Sequence, residues 1–139
     1  MTETPPYRPV LRTQSDVEKM WRTLMAPLGF SSASLWMVTI EGERPVPRIL
    51  EVVDLGEPPD ADLVDAFAGM LAPLAEPDTR VALLRSRPGG GRPDATDRAW
   101  ARALYEAGRR SGACLEMIHL AHDHDVLPLT ADDLMAEPA

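Results

Sequence analysis

The sequence predicts a single α/β (α+β) domain: a mixed sheet of about five strands with three helices, in the order α-β-β-α-β-α-β-β. Three observations carry this. Apolar residues recur at spacings of three and four in three separate stretches, as they do on helices with one buried face. Short runs rich in Val, Ile and Leu alternate with those stretches and are bounded by Gly, Pro and Asp. The length, 139 residues of which 45% are hydrophobic and 26% charged, supports one core and leaves no room for a second.

Residues 1–14 carry three prolines and little periodicity, and read as a flexible lead-in to a domain spanning 15–134, with 135–139 as a tail. Ser15 and Glu18 form the S-x-x-E pattern of a capping box. Val17, Met20, Trp21, Leu24 and Leu28 follow on one helical face, which Pro27 and Gly29 close. SLWMVTIE at 34–41 and RILEVVDL at 48–55 read as a hairpin turned by EGER at 41–44. Its apolar residues fall on both faces, as in a sheet covered on both sides. Gly56–Pro59 breaks the second strand. Asp60 then caps a helix marked by Leu63, Val64, Phe67, Met70, Leu71 and Leu74. RVALLR at 80–85 has the continuous apolar run of a central strand.

SRPGGGRPD at 86–94 is, by composition, the least ordered segment. Asp94 or Thr96 caps the next helix, whose first turn holds Asp97, and whose core face is Trp100, Ala103, Leu104, Ala107 and Gly108. Gly112 is a natural C-cap. CLEMIHLA at 114–121 reads as one strand, HDHD at 122–125 as a turn, Val126–Leu129 as a last short strand, and Thr130–Leu134 as one helical turn.

Composition excludes several roles. Fourteen basic against 22 acidic residues give a net charge of −8, which opposes general binding to nucleic-acid phosphates. A single cysteine, Cys114, excludes an intramolecular disulfide. No run approaches the ~18–20 apolar residues of a membrane span, and the N-terminal residues lack the features of a secretory signal. The expectation is a cytoplasmic protein without a cofactor, with no nucleic-acid or membrane partner.

Three segments carry a resemblance to a known family: SLWMVTIEGERPV, RVALLRSRPGGGRPDATDRAWARALYEAG and GACLEMIHLAHDHDVLPL. Over residues 34–129 they resemble the JAB/MPN domain, and within it the RadC-like branch, which carries a histidine at the position of His119. SRPG, DRAWARAL and the closing DDL also resemble a group of short uncharacterised proteins of GC-rich bacteria, a likeness that implies no function. The JAB resemblance implies a zinc site of His-x-His plus a helical Asp, with an upstream Glu as base. Here those positions are Arg85, Arg87 and Asp97, and 30–34 has no Glu. Guanidiniums offer no lone pair to zinc. The resemblance therefore implies the fold with its metallopeptidase chemistry lost.

Two sets of side chains remain as candidate sites. Arg85, Arg87 and Arg92 flank Gly89, Gly90 and Gly91 ahead of a helix N-terminus, an arrangement suited to a small anion or a nucleotide phosphate. It lacks the Lys-Ser/Thr of a Walker A motif, and the same arginines can simply pair with Asp94 and Asp97. His122 and His124, with Asp97 or Asp123, form a weaker alternative, a metal site for a divergent hydrolase; turn histidines exposed to solvent are the plainer reading. His119 reads as a sheet histidine with one bonded nitrogen. Trp21, Trp36 and Trp100 read as core, and Cys114 as a buried structural thiol. Glu51, Asp54 and Asp132-Asp133 show no pairing for acid–base work. The favoured expectation is a non-catalytic domain that binds an unknown protein partner or itself, with the 126–129 edge suggested for self-association.

Overall fold

The computed structural model describes residues 9–53 and 59–130. Its elements are α1 (Gln14–Leu24), β1 (Ser34–Glu41), β2 (Arg44–Val53), α2 (Ala61–Leu71) with a 3-10 turn at Ala72–Leu74, β3 (Thr79–Ser86), α3 (Ala95–Ser111), β4 (Cys114–Leu115), β5 (His119–Ala121) and β6 (Val126–Pro128). They build the expected mixed α/β domain, with six strands rather than about five. The order across the sheet is β2-β1-β3-β5-β6, with β4 also on β3. β1 runs antiparallel to both β2 and β3, β4 and β5 run parallel to β3, and β6 returns antiparallel to β5.

The period of two along β1 and β3 divides the core into two layers. Leu35, Met37, Val81 and Leu83 pack with Phe67 and Leu71 of α2 and Trp100, Leu104 and Ala107 of α3. Val38, Ile40, Ala82 and Leu84 pack on the other face with Val17, Met20 and Trp21 of α1. From Val81 to Ser86 every residue of β3 is buried, which is why its sequence shows no alternation. The described residues contain no helix long and apolar enough to cross a membrane.

Several expectations need correction. The cap of α1 is Thr13, in a box with Asp16, two residues ahead of Ser15. The lead-in is anchored from Leu11 onward: its side chain is fully buried, its amide donates to the Glu43 carbonyl at 2.6 Å, and Arg12 pairs with Glu43. β2 begins at Arg44, so Pro45 and Pro47 lie within it. An edge strand tolerates prolines because its outer donors have no ladder partner. CLEMIHLA is two strands, not one. The Tyr105 hydroxyl, brought over by α3, takes the Ile118 amide at 2.9 Å where a sheet neighbour would otherwise be needed. Cys114 is exposed, not buried. Apart from Thr130, the helical turn at 130–134 lies outside the described residues, as do Asp54, Asp132-Asp133 and the tail.

Asp94 caps α3 in a reciprocal box with Asp97, and Gly112 ends it at φ 79°. Both follow the sequence expectation. Because both faces of β3 are core, Leu83→Ala and Leu84→Ala, adjacent in sequence but on opposite layers, should each lower unfolding free energy by about 2–5 kcal/mol in urea titration. A cost at one position and not the other would mean that only one layer is packed.

Candidate functional site

Alternation along β3 and its continuation sends Arg85 and Arg87 to the α3 side, and the first turn of α3 brings Asp97 beneath them. Arg85 Nε donates to Asp97 Oδ1 at 2.9 Å; Arg87 donates through Nε at 2.9 Å and is 2.8 Å from Oδ2 through Nη2. Asp97 has no exposed surface and Arg85 only 4%. The guanidinium of Arg85 also lies 6.0 Å from the Trp100 ring centroid. Burial alone would raise the Asp97 pKa. The Arg87 guanidinium, the Asp94 amide and Arg85 outweigh it and hold the carboxyl below its ordinary value. Arg87 is shifted up by its hydrogen bonds to the same carboxylate.

This geometry decides where the anion-site residues point. Arg85 and Arg87 turn inward to Asp97, and Arg87 also donates to the Pro88 carbonyl at 3.1 Å. Arg92 and Gly89–Gly91 stay at the surface. The Asp94 and Asp97 amides are taken by the reciprocal capping box, so an anion approaching the N-terminus of α3 would meet the Asp94 and Asp97 carboxylates. Nor is the loop loose, despite its glycines. Asp123 accepts from Gly89 N at 2.8 Å and Phe30 N at 2.9 Å, while the Arg87 amide donates to Ala121 O at 3.0 Å. The Gly89 and Phe30 amides also keep Asp123 readily ionised.

The metal alternative is not assembled. Among the described residues no three His, Cys, Asp or Glu side chains gather as a metal-binding group. Asp97 is enclosed by arginines. His122 is buried, and its Nδ1 accepts the His124 and Asp125 amides at 3.1 and 3.2 Å, which places the proton of a neutral ring on Nε2. The His124 ring lies over Gly90, where an added Cβ would come within 2.6 Å of it. Two guanidiniums with their carboxylate likewise do not fit the zinc that the JAB resemblance implies.

His119 and the tryptophans take the structural places expected of them. The His119 Nδ1–H donates to Met117 O at 3.0 Å, and Nε2 is buried with no partner among the described residues, as is the Trp21 indole nitrogen. Trp21 and Trp100 are buried; the half-buried Trp36 donates to Ser86 Oγ at 2.9 Å.

The sequence reading missed the surface at the other side of the sheet. β2 is an outer strand, and Ile49, Leu50 and Val52 are 41%, 45% and 41% exposed. Leu50 also lines a groove of about 570 Å³ with Met37 and Val46 of the hairpin and Met70, Pro73 and Leu74 beyond it, edged by Thr39 and Glu41. Pro45 and Pro47 were the available signal that this strand is an edge. The 126–129 edge suggested for self-association is instead blunted: Arg22 donates to Val126 O at 2.8 Å and to Asp125 at 2.7 Å, and Val126 is buried.

Comparison with family models and with curated protein sequences finds no match.

Two outcomes follow from the buried charges. Asp97→Ala should cost about 3–5 kcal/mol, because it strands two guanidiniums, whereas replacing Arg85, Arg87 and Asp97 together by leucine should cost less. Chemical denaturation of both variants measures this; a triple variant less stable than Asp97→Ala would contradict it. Burial lowers the His119 pKa, more than Glu18 and the Met117 carbonyl restore it, with Arg22 adding to the depression. The unfolded chain therefore takes up this proton first. His119's stabilising contribution is present above about pH 6.5 and lost as pH falls towards its folded-state pKa. His119→Phe should flatten that acid slope in denaturation series; an unchanged slope would acquit the histidine.

Proposed function

We propose that this chain is a non-catalytic binding domain that takes up an extended polypeptide segment along β2. The observation that carries the reading is an open sheet edge with three exposed apolar side chains within four residues, beside an apolar groove. An unpaired edge offers main-chain donors and acceptors to a strand, and pockets for alternate side chains give selectivity. The prolines restrict this to the later half of β2, from Ile49 on. The contrast between the two edges supports the same reading, since Arg22 donates to Val126 O of β6, whereas among the described residues no side chain caps Ile49–Val52 of β2.

The resemblance to JAB/MPN domains belongs to this proposal. Arg85, Arg87 and Asp97 converge in space, as the corresponding metal ligands of that family would. On that resemblance the ion cluster would occupy the position of the family's metal site, and this supports a fold kept for binding rather than for hydrolysis. The small-anion and metal-hydrolase readings have no comparable support, because their candidate side chains are engaged with one another or apart.

Selection of random peptides displayed on phage, using the intact chain as bait, tests the proposal. The recovered peptides should be extended and apolar at alternate positions, and Leu50→Asp and Val52→Pro should abolish their binding while leaving the circular dichroism spectrum unchanged. Failure to recover any binder, or binding indifferent to both substitutions, would contradict it.

A further inference from the structure

The layer between α1 and the sheet is the less satisfied of the two core layers. Among the described residues, two buried side-chain polar atoms lack a hydrogen-bond partner, Trp21 Nε1 and His119 Nε2, and both lie there. Trp21 belongs to α1 and packs in the layer of Val38, Ile40, Ala82 and Leu84. His119 is in register with Leu84 on the parallel strand β3, so it shares that face of the sheet, and it has no exposed surface. Such atoms are rare in folded proteins, because burial removes their bonds to water and returns nothing. Lifting α1 off the sheet gives both atoms back to water.

The ties of α1 suit that movement. Its buried residues are the apolar Val17, Met20 and Trp21. Its side-chain hydrogen bonds to the sheet end are few: Gln14 Nε2 to Met117 Sδ at 3.2 Å, and Arg22 to Asp125 and to Val126 O. The chain on either side is fastened independently. Before the helix, the Leu11 amide donates to Glu43 O; after it, the Phe30 amide donates to Asp123 at 2.9 Å. The helix is thus free to leave while both of its ends stay attached.

His119 couples this movement to protons. Its Nδ1–H is already given to Met117 O, so a second proton goes to Nε2, which faces no acceptor among the described residues. From α1 the charges acting on the ring are Glu18 and Arg22, opposite in sign and 3.7 Å apart. The flanking strand positions, Leu84 and Pro128, are uncharged. We infer that α1 is a proton-released cover: protonation of His119 at Nε2 detaches the helix, uncovering the β6 carbonyl that Arg22 caps and the apolar sheet face around Val38, Ile40 and Leu84. The acid effect assigned to His119 above is thereby placed at one helix, and it does not depend on strand addition at β2. In the released state the ring meets water and takes its proton near the ordinary value of about 6.5, whereas burial opposes protonation in the closed state, so release grows as pH falls below that value.

Amide hydrogen exchange of the full, unaltered chain at about pH 7 and about pH 5, corrected for intrinsic rates, tests this. Amides of α1 should exchange through an opening that leaves β3 protected, and that opening should become at least about tenfold more frequent at the lower pH. In His119→Asn, which keeps an N–H donor and cannot titrate, the α1 opening should be the same at both pH values. Equal opening free energies for α1 and β3 would mean that the helix leaves only with global unfolding, and would overturn the inference. An α1 opening that ignores pH, or that rises equally in His119→Asn, would overturn it as well. A ring titration by nuclear magnetic resonance on the unaltered chain removes any dependence on folding of the variant. A His119 ring that protonates near pH 6.5 while the α1 amides stay protected would contradict a proton-released helix.

Discussion

Asp97 receives hydrogen bonds from two guanidiniums at a point that water does not reach, and the joint between the central strand and α3 depends on it. One oxygen serves Arg85 and both serve Arg87, while the carboxylate also closes the capping box with Asp94. A carboxylate buried alone would be strongly destabilising, and so would either arginine. Together they satisfy one another. The cluster also fixes the course of the glycine loop, because Arg87 holds the carbonyl of Pro88 and its amide is tied to β5. It accounts for a loop whose composition suggests disorder and whose hydrogen bonds hold it in place.

The same cluster bears on function. Donors of the kind that hold a phosphate, and a carboxylate of the kind that holds a metal, are bonded to each other in the interior. The chemical possibilities of the loop are thereby reduced, and the large exposed apolar side chains among the described residues lie on the β2 edge instead. The two edge strands are finished differently. β6 has the Val126 carbonyl capped by Arg22, whereas β2 ends in five residues without proline, of which Ile49 and Leu50 present apolar side chains to opposite faces.

Much of this was legible in the sequence. Helical spacing located α1, α2 and α3; Asp94, Asp97 and Gly112 marked the ends of α3; and the uninterrupted apolar run of β3 identified it as central. What escaped depends on partners distant in the chain. Nothing near Met117 says that the Tyr105 hydroxyl will split β4 from β5, and nothing near Leu11 says that the Glu43 carbonyl will anchor it. Cys114 looks like a core residue because its neighbours do, but a two-residue strand leaves it exposed. β1 and β2 have similar apolar patterns, and Pro45 and Pro47 were the one local sign that the second is the edge. The histidines of the 122–125 turn share sequence proximity without sharing a target: His122 folds back onto its own backbone amides, and His124 lies on Gly90.

The central claim is that β2 presents an uncovered edge, and amide hydrogen exchange in dilute, isolated protein tests it most directly. Opening free energies should separate the strands. The account predicts that outward-facing amides of β2 beyond Pro47 exchange rapidly, while those of β3 exchange only through global unfolding. Amides of Ile49 to Val53 uniformly as protected as those of β3 would show that the edge is already covered, and would contradict the account.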